Sequence, residues 1–232
     1  MTVYFIGAGI GGIEYLTVQA HNLIRQGQVI LYDDLVDASL LELAPVDCLK
    51  ISVGKRGGKT STSQEKINQL LRKYSQEYER VIRLKSGDIG IFGRIHEELS
   101  CLQSIDVEYQ LIPGLSSALA VPLLAHIMLT EKNDSRCLSI LTGHDPESLD
   151  WFALSKIDTL VILMGGINLP IIIQKLQEHG RSSNLPIAII KNGGRTDQQI
   201  WKGTIGNILQ KTANRSLSPC IIVIGKVVEY SY

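Results

Sequence analysis

Short apolar runs alternate with stretches of helical periodicity along the first half of the chain. Residues 3–6 form an apolar run of strand type, and residues 14–25 then place Leu16, Ala20, Leu23 and Ile24 at helical spacing. Residues 28–32 predict a second strand, which ends at Asp33 and Asp34. A short helix through residues 40–43 stops before Pro45, because the residue ahead of a proline disfavours the helical region. Residues 48–53 predict a third strand, and residues 63–74 a helix with Ile67, Leu70 and Leu71 on its inner face. Residues 80–84 predict a fourth strand ending at Ser86-Gly87-Asp88, followed by a helix over 97–102 and a fifth strand over 107–112. This alternation predicts an α/β fold with an open, mostly parallel sheet.

Pro113-Gly114 is the candidate hinge, dividing the chain into an N-terminal α/β domain of residues 1–112 and a C-terminal α/β domain of residues 113–232. Residues 116–125 follow as a small, apolar helix whose N-terminal amides could cap a site. The second half is less regular, with strands predicted at 137–141, 159–163, 187–190 and 220–224, in a mixed sheet. Its clearest helix spans 169–179 and stops at Gly180, a residue suited to a helix C-terminus.

Composition narrows the classes. At 232 residues, 44% hydrophobic and 20% charged, the chain has the balance of a globular protein with a real core. Lys+Arg and Asp+Glu both number 23, so no global basic field draws in nucleic acid. No apolar run reaches bilayer length and the chain enters a strand at once, which predicts a cytoplasmic protein with no membrane partner. Cys48, Cys101, Cys137 and Cys220 are far apart and form no C-x-x-C pair. They are expected to be small buried residues, with no metal site and no disulfide framework.

In open α/β sheets ligands bind beyond the carboxyl ends of the strands. That rule selects residues 7–12, Asp33-Asp34, 54–59 and 86–93, all of which follow predicted strands. Gly7, Gly9 and Gly12 fit the G-x-G-x-x-G spacing, with Asp33 and Asp34 at the usual distance beyond, a pattern that can hold a pyrophosphate at a helix N-terminus. A tight βα turn needs the same glycines. Asp33 would sit at the edge of a cleft as a general base, or act as a helix N-cap. Lys55, Arg56 and Lys59 form a basic cluster that could hold carboxylates or phosphates, or could be a solvated loop. Ser86-Gly87-Asp88 could bring amides and a carboxylate to a ligand, or be a plain turn. His144 reads as a structural hydrogen-bonder, Met164 as core, and Asn192-Gly193-Gly194 as a turn.

Eight segments taken in order resemble the tetrapyrrole (corrin/porphyrin) methyltransferase family. They are VYFIGAGIGG, LYDDLV, ISVGKRGGKTSTSQEKINQLL, RVIRLKSGDIGIFGR, IPGLSSALAVP, ILTGH, LMGG and SPCIIVIGKVV, and they cover nearly all of the chain. The resemblance implies a homodimeric enzyme of two α/β domains with S-adenosylmethionine in the cleft between them. It implies methyl transfer to ring carbons of a reduced tetrapyrrole, uroporphyrinogen III, towards precorrin-2 and so sirohaem or cobalamin, leaving S-adenosylhomocysteine. By position it implies cofactor contacts at Ile10, Ser86, Gly87, Asp88, Ile91, Ser116, Ser117, Met164 and Gly193. It implies Asp33 as proton acceptor, Lys55 as proton donor, and Arg56 and Arg94 facing the substrate's carboxylates. The family's GAGPGD reads GAGIGG here, its YDRLV reads YDDLV, its GGDP reads SGDI and its PLTHR reads MLTEK. Asp34 therefore stands where the family pattern has a substrate-facing arginine.

Three rival readings remain at this point: a methylase for another precorrin-type tetrapyrrole, a non-enzymatic regulator of the same fold, and an oxidoreductase binding NAD or FAD at Gly7, Gly9 and Gly12. The last gives no task to LMGG, PGLSSALA or SGDIGIFGR.

Overall fold

In the computed structural model, which describes residues 1–54 and 62–230, the first sheet contains five strands. They are β1 (Thr2–Gly7), β2 (Val29–Tyr32), β3 (Leu49–Ser52), β4 (Arg80–Lys85) and β5 (Glu108–Ile112). Their order is β3-β2-β4-β1-β5, and every pairing is parallel. A parallel sheet is covered on both faces, and the two-residue period of its strands shows which side chains go where. Ile6, Ile30, Ile82, Leu84 and Ile112 join Ala20 and Ile24 of α1 (Val18–Ile24) on one face. Val3, Phe5, Val29, Leu31 and Val81 join Ile67 and Leu71 of α2 (Gln64–Glu77) and Ile95 and Leu102 of α3 (Ile95–Gln103) on the other.

The second sheet is mixed. β6 (Leu138–Thr142), β7 (Thr159–Leu163), β8 (Pro186–Lys191), β9 (Gln199–Thr204) and β10 (Cys220–Ile224) are ordered β6-β7-β10-β8-β9. β6 and β7 are parallel, while β10 is antiparallel to both β7 and β8. β8 therefore points the same way as β6 and β7, and the carboxyl ends of these three strands share one edge. Around this sheet lie α4 (Ser117–Leu124), α5 (Trp151–Leu154), α6 (Leu169–Glu178) and α7 (Ile208–Lys211). Leu169, Ile172, Ile173 and Leu176 of α6 pack on Leu160, Ile162, Ile189 and Ile222 of the strands.

The chain divides into two compact units, Met1–Ser116 and Ser117–Tyr232, so the break falls just after the Pro113-Gly114 step. The helix expected over 14–25 is not continuous. A short 3-10 helix at Ile13–Tyr15 gives way to extended backbone at Leu16 and Thr17, and α1 starts afresh with the Thr17 hydroxyl accepting from Ala20 N at 3.1 Å. β9 escaped the strand pattern because it is an edge strand that pairs with β8 alone and mixes exposed and half-buried positions. Of the four cysteines three are buried, but Cys137 is exposed. Among the described residues there is no group of metal-ligating side chains, and no helix is long and apolar enough to cross a membrane.

Candidate active site

The carboxyl ends of β1, β2 and β4 carry three of the four selected segments. Gly9 and Gly87, both at positive φ (+71° and +69°), bridge the loops after β1 and β4. Gly87 N donates to Gly9 O at 2.7 Å and Gly9 N to Gly87 O at 3.2 Å. Positive φ is a conformation that glycine adopts without steric cost. Gly7 lies against the same crossing, where a Cβ would come within 2.5 Å of Gly114 N and 2.8 Å of Gly87 O. The floor here is bare backbone. The dinucleotide reading needs a helix N-terminus directly behind the glycine turn. Here α1 starts only at Val18, beyond a 3-10 turn and the extended Leu16 and Thr17, so that requirement is not met.

Asp33 follows β2 on the same face as Leu31, and Arg83 and Lys85 lie side by side on the neighbouring strand β4, with Leu31 in register with Arg83. Asp33 N donates to Leu84 O at 3.2 Å, tying the residue to β4. Its Oδ1 lies 2.6 Å from Arg83 Nη2 and its Oδ2 3.7 Å from Lys85 Nζ. Its side chain keeps 28% of its surface open. Behind these cations stands Glu98 of α3, fully buried, with Oε2 2.8 Å from Arg83 Nε and Oε1 2.9 Å from Lys85 Nζ. Burial lowers the proton affinity of the Arg83 guanidinium, but Asp33 and Glu98 outweigh that and hold its pKa above the ordinary value. Arg83 is a permanent cation. Arg83, Lys85 and Glu98 were missed in the sequence, although two basic residues at alternate positions of an otherwise apolar strand are a readable signal.

Asp34 turns to β3: its Oδ1 accepts from Ser52 Oγ at 3.2 Å, and a Cβ on Gly54 would collide with it. Its Oδ2 is buried with no hydrogen-bond partner among the described residues. Asp88 works within its loop, accepting from Gly90 N at 2.8 Å through Oδ1 and from Gly114 N at 3.0 Å through Oδ2. A carboxylate retains further lone pairs beyond these two bonds. Ile10 is buried, Ser86 half-buried, and Ile91 exposed at the mouth of the β4 loop. Arg94 is exposed and caps α3 in the left-handed region, at φ +50°. Ser116 closes the first unit. Lys55 and Arg56, with Lys59, lie outside the described residues.

In the second unit the loops after β6, β7 and β8 lie along one edge. Gly143 N donates to Leu163 O at 2.7 Å, and Asn168 Nδ2 donates to the carbonyls of Gly143 at 2.8 Å and His144 at 3.0 Å. These bonds tie the LTGH loop to the LMGG loop. Met164 follows β7 at φ +56° with half its surface open, not in the core. Gly193 lies against α4, where a Cβ would collide with both methyls of Val121. Ser117 is the first residue of α4.

The first unit is thus a parallel α/β sheet whose strand ends carry a backbone crossing and an ion-paired aspartate. A family model for tetrapyrrole (corrin/porphyrin) methylases matches residues 2–209, and the chain belongs to that family. It is 45% identical over 226 residues to a uroporphyrinogen-III C-methyltransferase of Synechococcus elongatus, covering 97% of this chain and 93% of that protein. It is 40% identical over 230 residues to siroheme synthase 1 of Yersinia pseudotuberculosis, covering 97% of this chain but only 48% of that longer protein. Among solved structures it matches a Thermus thermophilus uroporphyrin-III C-methyltransferase in complex with S-adenosylhomocysteine. That match has a TM-score of 0.86 and 29% identity, and covers 99% of this chain and 100% of the other.

Proposed function

We propose that this chain is an S-adenosylmethionine-dependent methyltransferase acting on uroporphyrinogen III, on the route to precorrin-2. The observation that carries the reading is the bridged Gly9–Gly87 floor beside the open carboxylate of Asp33, in a chain of this family. The residues fit the cofactor. The Gly9–Gly87 crossing offers backbone polar groups at the strand ends, and Ile91 and Met164 leave apolar surface at theirs. Nucleoside and thioether groups need both kinds of contact. In the first unit Ile10, Ser86, Gly87, Asp88, Ile91 and Ser116 would hold it, and in the second Ser117, Met164 and Gly193.

S-adenosylmethionine, when bound, would supply an electrophilic methyl group that leaves its sulfonium sulfur for a nucleophilic ring carbon. The chain's part is to orient the ring carbon and then to accept the proton whose loss restores its neutrality. Asp33 is the acceptor, its carboxylate open on one side and anchored on the other by Arg83. Lys55 is the proton donor, and Arg56 and Arg94 bind substrate carboxylates as guanidinium forks. The enzyme is a cytoplasmic homodimer, which light scattering and cell fractionation would test.

Titration calorimetry tests the cofactor assignment. Saturable S-adenosylhomocysteine binding is expected, whereas tight NAD or FAD binding without it would contradict the reading. An Asp33→Asn variant should bind S-adenosylhomocysteine normally yet turn over about 10²–10⁴-fold more slowly. Full activity in that variant would take Asp33 out of the mechanism.

A further inference from the structure

Glu98 occupies a place where an apolar residue is expected. The inward stripe of α3 runs Ile95, Glu98, Cys101 and Leu102, and Glu98 is fully buried within it. A buried charge is costly unless paired, and well-packed apolar side chains often replace a buried ionic cluster without loss of stability. Fold stability therefore does not by itself call for this glutamate.

What Glu98 does is fix two cations at once. Its Oε1 lies 2.9 Å from Lys85 Nζ and accepts from Arg83 Nη2 at 3.3 Å, while Oε2 accepts from Arg83 Nε at 2.8 Å. Arg83 Nη1 donates to the carbonyls of Leu84 at 3.2 Å and Leu31 at 3.5 Å. Nη2 then reaches Asp33 Oδ1 at 2.6 Å. The guanidinium has five N–H donors in a rigid fork, and each of them faces an acceptor, so it has no freedom to turn. The four charges of Asp33, Arg83, Lys85 and Glu98 sum to zero, and only Asp33 keeps substantial open surface.

We propose that Glu98 is a positioning residue for Asp33, locking Arg83 and Lys85 in the buried face of the sheet so that they hold the Asp33 carboxylate at its working edge. The proposal rests on the reading of Asp33 as proton acceptor. It assigns Glu98 no contact with substrate or cofactor. Its effect must therefore pass through Asp33.

A double-mutant cycle tests this with the full chain, S-adenosylmethionine and uroporphyrinogen III. Glu98→Gln keeps the shape and removes the charge. It should lower kcat about 10–100-fold, with KM for the tetrapyrrole and the Kd for S-adenosylhomocysteine within about twofold of the parent. In an Asp33→Asn background the same change should alter kcat by less than about twofold. An unchanged kcat in Glu98→Gln, an equal fall in both backgrounds, or a rise in KM with kcat intact would overturn the proposal. Full activity in Asp33→Asn removes the proton-acceptor reading and this proposal with it. A slow Asp33→Asn with additive Glu98→Gln overturns the positioning role alone. If thermal unfolding shows that Glu98→Gln does not fold, Lys85→Gln replaces it in the cycle. The same non-additivity is expected there, and additivity has the same force against the proposal.

Discussion

Gly9 and Gly87 exchange backbone hydrogen bonds of 2.7 and 3.2 Å, so the loops after β1 and β4 form one surface. Gly9 reaches this geometry at φ +71°, and a Cβ there would also approach Tyr15 O at 2.5 Å. Gly9→Ala combines a left-handed strain with a clash. It should cost about 1–3 kcal/mol in urea unfolding and weaken S-adenosylhomocysteine binding in calorimetry. Unchanged stability and affinity would mean that the crossing can relax without consequence.

Arg83 is buried with its charge balanced by Asp33 and Glu98. Arg83→Ala leaves Glu98 buried with one cation instead of two and should cost about 3–5 kcal/mol, read as a lowered urea midpoint. Asp33→Asn should cost less, because Asp33 is the partly open member of the group.

Gly193 and Val121 make a paired test in the second unit. Any side chain at residue 193 meets both Val121 methyls, so Gly193→Ala should cost about 1–3 kcal/mol through overpacking. Val121→Ala in the same chain should restore part of that loss, because it removes the methyls that collide. If the double variant is no better than Gly193→Ala, the clash is not the cause.

The thiols should separate by burial. Burial pushes the Cys220 thiol up to about 11 against the opposing charge of Lys191, so its reactive thiolate is suppressed in the folded state. Burial likewise raises Cys48. At pH 8 a disulfide-exchange reagent should titrate the exposed Cys137 in the native protein and all four thiols after unfolding. The raised Cys220 value favours the folded state below about pH 9, and that contribution fades as pH rises through about 11. Replacing Cys220 by valine should flatten the stability curve over that interval.

Strand ends were legible in the sequence because β1 and β2 are apolar runs that stop abruptly at Gly7 and Asp33, and β4, apolar at Val81, Ile82 and Leu84 between its basic residues, stops at Ser86. That pattern locates the carboxyl edge of the sheet with no knowledge of packing. Met164 was not legible as an open residue, since its letter is that of a core side chain and its exposure follows from the left-handed turn after β7. Glu98 was hidden for a different reason. Adjacent acids such as Glu97-Glu98 carry no sequence mark of burial, and only the docking of α3 on the sheet buries the second against Arg83 and Lys85. The break at Thr17 was readable as an N-cap, but the apolar spacing across it fits one longer helix equally well. Asp34 reads as a charge reversal beside the substrate, yet its Oδ1 binds Ser52 on β3.

Methyl transfer to a tetrapyrrole is measured by anaerobic turnover. Purified protein would be incubated with S-adenosylmethionine and freshly reduced uroporphyrinogen III, and both products followed by mass spectrometry. S-adenosylhomocysteine should accumulate in proportion to methyl groups gained by the tetrapyrrole, and both should fall together in Asp33→Asn. Tight binding of S-adenosylhomocysteine with no methyl group added to uroporphyrinogen III would rule out this methyl transfer.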